Sequence, residues 1–345
     1  MSRAQVTCFP FDKRLRPGYR ERRTTTIIIE DRLRVNEIVQ TDRRTRVGLR
    51  NCKETRLNRT GTALMGMVLL TGAALAADEQ APENISAKLL KLHRDEASRW
   101  DIFVDAQRTN KAKFVSEPVY RWTNASRANG QTGAMFVWTF EGRPVAIGGV
   151  FSNPEAGRRV IMHEFHALGP LRITAQLNDS KYQWLPGAGV PVHPLPDSPV
   201  PAATAKQRAT QMRDIAREFT AHTVDDVGVR WQLRLLSRPL FRYEKPENDV
   251  IDGALFAFVS DAGTDPEIIL VLEAVKTGEK VTWHYRSVRF SISSLYVQYK
   301  GKDVWTSLRD RATGVFENPD NTYGLIRDRL IDEFPELDQN KVKAP

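Results

Sequence analysis

The chain predicts an α+β protein made of two tandem repeats, each a helix followed by an antiparallel β-meander, related by a pseudo-two-fold axis. Three observations predict this. Similar blocks recur at a nearly constant offset, a segment of helical spacing precedes each set, and the strands that follow are joined by short turn-like breaks. SEPVYRW (116–122) matches SRPLFRY (237–243), GAMFVW (133–138) matches GALFAF (253–258), Pro144 matches Pro266, and RVIMH (159–163) matches KVTWH (280–284). The offsets are 121, 120, 122 and 121 residues, so each gap falls in a loop.

The N-terminal segment comes first. Residues 1–60 hold 16 Lys and Arg against 7 Asp and Glu, the whole net charge of +9. The other 285 residues carry 35 of each sign, which argues against a nucleic-acid partner for that part. Residues 1–60 read as a basic leader, and a start within them, at Val47 or Leu57, would shorten it. Residues 61–76 read as the hydrophobic region of a signal peptide. Arg56 and Arg59 flank it, Ala74-Leu75-Ala76 gives a small-x-small cleavage pattern, and its apolar part is short of a bilayer span. The expectation is an exported protein, a possible cell-envelope component with no stable transmembrane anchor after cleavage. Cys8 and Cys52 both precede the cut, so the mature part is expected to lack disulfides, thiol catalysis and zinc–thiolate sites.

The first repeat is expected over 85–181. Ile85, Leu89, Leu92, Trp100 and Val104 recur near helical spacing, and strands follow at about 114–122, 133–140, 145–151, 159–168 and 171–177. Residues 182–202 are rich in proline and read as a linker. The second repeat, 203–308, opens with Ala209, Met212, Ile215 and Phe219 three or four apart. Strands are expected there at about 228–243, 253–260, 267–275, 280–290, 292–299 and 303–308. The tail, 309–345, offers one helix over Tyr323–Phe334.

The run RLLSRPLFRYEKPENDVIDGALFAFVSDAGTDPEIILVLEAV (234–275) resembles an uncharacterised family of exported bacterial proteins, over about residues 85–308. The resemblance implies export and carries no activity, cofactor or catalytic residue. The helix-then-meander order also resembles cystatin-like or NTF2-like units, and fold does not fix function.

His163-Glu164-Phe165-His166 lacks the four-residue spacing of the helical zinc motif and lies in a strand pattern. There His163 and His166 face opposite ways, and Glu164 shares a face with His166. No metal and no cofactor is expected from it. His163 and His284 occupy matched positions, as do Arg121 and Arg242, each of which lies between two aromatics. A guanidinium so placed suits a carboxylate or phosphate. The candidate ligand set is therefore Arg121, Arg242, His163, His284, Glu164 and His166. There is no GxSxG elbow, P-loop or dinucleotide fingerprint. The reading is an exported non-catalytic binding or structural module of unknown ligand and partner. Its alternative is an extracellular hydrolase with a site between the repeats.

Overall fold

The computed structural model describes residues 81–124, 130–170, 172–178, 180, 182–186, 189–244, 249–260, 263–310, 313–315 and 321–332. The basic leader and the hydrophobic region at 61–76 thus lie outside the described residues. In chain order come α1 (Ala81–Ser98), β1 (Trp100–Phe103), β2 (Lys113–Asn124), β3 (Gln131–Phe140), β4 (Arg143–Glu155) and β5 (Arg158–Ala167). Then follow β6 (Thr174–Leu177), β7 (Gln183–Trp184), β8 (His193–Pro194), α2 (Ala205–Arg217), β9 (Phe219–Val224) and β10 (Arg230–Leu235). The remainder are β11 (Phe241–Glu244), β12 (Val250–Ser260), β13 (Pro266–Thr277), β14 (Lys280–Arg289), β15 (Ser294–Tyr299), β16 (Lys302–Ser307) and β17 (Tyr323–Ile331).

These strands pair into three antiparallel sheets, and the pairing corrects the expected architecture. The first sheet has the order β17-β5-β4-β3-β2, so its outer strand comes from the C-terminal tail. Strands β1, β6 and β7 make a small separate sheet. The second large sheet runs β16-β15-β9-β10-β12-β13-β14-β8, with β11 also on β12, and it borrows β8 from the proline-rich stretch. It curls until β14 meets β16, where Tyr285 Oη donates to Val304 O (3.4 Å) and Arg289 Nη2 to Ser307 O (2.8 Å). The protein is therefore a mainly antiparallel β protein with two helices among the described residues, one sheet being a curled half-barrel. It is not two tandem helix-plus-meander repeats.

The tail departs from expectation for a physical reason. Leu325 packs toward the core between the two large sheets while Ile326 and Ile331 pack on the opposite side, so β17 is apolar on both faces. A short segment of that kind reads equally well as helix or strand from periodicity. The open edge of β5, with unpaired backbone groups to satisfy, decides for strand. Proline explains a second difference. Pro118 sits in the bulge of β2 between Val115 and Tyr120, and Pro239 divides the expected strand at 228–243 into β10 and β11.

Period-two alternation builds the layers. Ala134, Phe136 and Trp138 face α1 and the small sheet, while Met135 and Val137 face the second large sheet. On β12, Ala254, Phe256 and Phe258 face α2, which lies against the curled sheet, and Leu255 and Ala257 face the first sheet. α2 begins at a reciprocal cap: Thr204 Oγ1 accepts from Gln207 N (3.3 Å) and donates to Gln207 Oε1 (2.8 Å).

The matched GA–F blocks each place a glycine opposite an aromatic. Gly133 pairs with Trp122 and Gly253 with Tyr243. A Cβ at Gly133 would lie 2.2 Å from Trp122 Cζ2, and one at Gly253 2.3 Å from Tyr243 Cζ. Gly133→Ala should therefore cost about 1–3 kcal/mol by overpacking. Urea unfolding checks this: added to Trp122→Leu, the same alanine should cost much less, because the obstructing ring is gone.

Candidate functional site

A cavity of about 550 Å³ lies between α1 and the first sheet. Ile85, Leu89 and His93 fall four residues apart along one face of α1 and line it, with Ser86 and Leu90 beside them. Strands β2 and β3 supply Arg121, Trp122, Thr123, Thr132 and Gly133. The walls are largely apolar, and no acidic residue is among the described residues that line it.

Arg121 is exposed, while Tyr120 and Trp122 turn the other way and stack with ring centroids 6.4 Å apart. Strand alternation thus separates the cation from its aromatic neighbours as the sequence implies. Arg121 Nη2 donates to Ser86 Oγ (3.3 Å), and no carboxylate among the described residues lies within ion-pair distance of it. Deeper in, His93 Nε2 shares a hydrogen bond with Ser152 Oγ (3.2 Å), which accepts another from Arg159 Nε (3.1 Å). Burial, followed by the charge of Arg159, lowers the His93 pKa to about 3, so the ring is neutral at physiological pH. A serine beside a neutral histidine resembles a nucleophile and its base. Ser152 is 0 % exposed, however, so no scissile carbonyl can reach it.

Of the six residues singled out from the sequence, only Arg121 lines this cavity. His163 is fully buried behind α1, where Trp100 Nε1 donates to its Nδ1 (3.2 Å). That bond leaves the neutral ring's proton on Nε2, which points between Glu96 Oε2 (3.7 Å) and Asp328 Oδ2 (3.6 Å). The three ligand atoms lie within 4.8 Å of one another, a spacing that could hold a cation. Two features oppose one. A metal on Nε2 requires the ring proton on Nδ1, which here accepts from the indole. The carboxylates are also already neutralised: Arg99 Nη1 meets Glu96 Oε2 at 2.6 Å, and Arg329 Nη1 meets Asp328 Oδ2 at 2.8 Å. The His163 N–H, followed by Arg329, holds Asp328 down to about 2 against burial, which pushes it up. The cluster ties α1 and β5 to β17.

Arg242 is committed elsewhere. It bonds Asp252 through Nε (3.2 Å) and Nη2 (2.9 Å), and Nη2 also donates to Ala205 O (2.7 Å) at the start of α2. His284 Nε2 bonds Thr282 Oγ1 (3.1 Å), and burial lowers its pKa, with Glu273 opposing and Arg286 assisting. No contact joins any two of Arg121, Arg242, His163 and His284. Glu164 and His166 do come together, around Tyr323: the phenol donates to Glu164, and the His166 ring lies 6.2 Å from the tyrosine ring. His166 Nδ1 donates to Ala167 O (2.6 Å), and burial lowers its pKa to about 3.

His93, Glu96, Ser152 and Asp328 were not identified from the sequence. The place of His93, eight residues after Ile85 and four after Leu89 on one helical face, is the one signal that could have pointed to it. Among the described residues, no helix is long and apolar enough to cross a membrane. Compared with protein families, curated proteins and solved structures, the chain matches none.

Proposed function

We propose that the protein is an exported, non-catalytic binding module whose ligand is a small amphipathic molecule with an anionic head, held in the cavity between α1 and the first sheet. The observation that carries this is the pairing of apolar walls with a guanidinium that meets no carboxylate among the described residues. Ile85, Leu89 and Leu90 would cover an aliphatic body, and Arg121 would take a carboxylate or phosphate. Export rests on the hydrophobic region at 61–76 and its small-x-small pattern. The burial of Ser152 supports a non-catalytic role.

Calorimetric titration of the full chain with decanoate should show saturable binding, and Arg121→Met should weaken decanoate by ~10-fold, the worth of a charge-assisted hydrogen bond. Decanol, which lacks the charge, should bind both proteins alike. Equal decanoate affinity in the two proteins, or no binding of either probe, would overturn the reading.

A further inference from the structure

A second pocket of about 250 Å³ opens where the curled sheet meets β17 and the proline-rich stretch. It is independent of the cavity above. Ser287 and Arg289 lie two residues apart on β14, which puts them on one face, and both line the pocket. They are 3 % and 6 % exposed. Neither Ser287 Oγ nor Arg289 Nε has a hydrogen-bond partner among the described residues. Arg289 meets its carbonyl acceptors through Nη2 alone, at Ser293 O (3.1 Å), Ser307 O (2.8 Å) and Leu308 O (3.5 Å). No carboxylate among the described residues lies within ion-pair distance of it.

Buried donors are ordinarily satisfied, and a buried guanidinium is ordinarily paired. Two orphaned donors on one strand face, lining one pocket, require an acceptor there. We infer that this pocket is a binding site for a small monocarboxylate, with Arg289 Nε–H and Ser287 Oγ–H donating to its oxygens. Single charge follows from the surroundings. Asp310 also lines the pocket and Glu164 lies behind Tyr323, so one guanidinium faces acidic neighbours, and a dianion such as phosphate would be repelled. The volume, that of about eight waters at ~30 Å³ each, restricts the ligand to a small molecule.

The probe is acetate, added to the full chain at fixed ionic strength and followed by the broadening of its NMR signal. Acetate should bind the wild type, and Ser287→Ala, which removes one hydroxyl from a strand, should weaken it ~5-fold. Arg289→Gln should abolish binding; because Arg289 also closes the sheet, Ser287→Ala is the decisive variant. Asp310→Asn should tighten acetate severalfold by removing a like charge, a change that a purely structural role would not produce. Phosphate should bind more weakly than acetate. Arg121→Met should leave acetate binding unchanged, which separates this site from the amphipathic cavity. Equal acetate binding by wild type and Ser287→Ala, loss of it in Arg121→Met, or tighter binding of phosphate would each overturn the inference.

Discussion

Glu273→Gln should cost the protein about 3–5 kcal/mol, the loss typical when one partner of a buried ion pair is removed. Glu273 on β13 and Arg286 on β14 are each 2 % exposed, and their side chains are in contact. Arg143, from β4 in the first sheet, reaches across to clasp the same carboxylate through Nε and Nη2, both at 2.8 Å. Tyr243 Oη completes the shell at 2.7 Å. The cluster already holds two cations for one anion, and Arg286 Nε and Nη1 have no other partner. Neutralising Glu273 would leave the buried Arg286 and the partly exposed Arg143 without the carboxylate that they share. Arg143→Met should cost less, because the Arg286–Glu273 pair and the tyrosine bond survive. Urea unfolding distinguishes the two, and a Glu273→Gln midpoint equal to wild type would show that water reaches the cluster.

The sign of the pH effect follows. Burial pushes the Glu273 carboxyl up, but Arg286 and Arg143 outweigh it and hold the group below its ordinary value. A group lowered in the folded state contributes its stability above the unfolded value and loses it as pH falls through the folded one. Stability from this cluster is therefore full at neutral pH and declines on acidification below the ordinary carboxylate range.

Most individual strands were legible because period-two alternation is local. The expected spans 133–140, 267–275 and 280–290 agree with β3, β13 and β14 to within about three residues at each end. Alternation also placed His163 and His166 on opposite faces of β5, where one meets Trp100 and the other Tyr323. Which strands pair is a long-range matter, and there the reading failed. Nothing within Tyr323–Ile331 says that it completes the first sheet, and nothing within 182–202 says that His193–Pro194 joins the edge of the second. Curling of the second sheet has the same origin, since it depends on the meeting of β14 and β16. The candidate site was legible only as far as Arg121, whose lack of a carboxylate partner among the described residues is a property of the fold. Asp328 could not be joined to His163 while its segment was read as a helix.

Glu96→Ala should have the second largest effect, about 2–4 kcal/mol, reduced from the fully buried case because Arg329 is partly exposed. Glu96 receives Arg99 and Arg329 together, so its loss would remove the tie between α1 and Arg329 and leave the longer Arg99–Asp328 contact (3.3 Å) to join the end of α1 to β17. Among the described residues, Asp328 would then be the sole counter-charge to both. Wild type should lose stability as pH falls from about 4 toward 2, the interval between the ordinary aspartate value and the lowered one of Asp328. Asp328→Asn should flatten that part of the profile. The same measurements decide between an ion network and a metal centre. With Nδ1 accepting from Trp100 and the proton on Nε2, adding zinc or manganese should leave the wild-type Tm unchanged, and chelators should not lower it. A rise in Tm with stoichiometric metal, abolished by Glu96→Ala, would mean that the His163 proton is displaced and that the arginines are bystanders. The present geometry requires the reverse: the arginines supply the positive charge that a cation would otherwise bring.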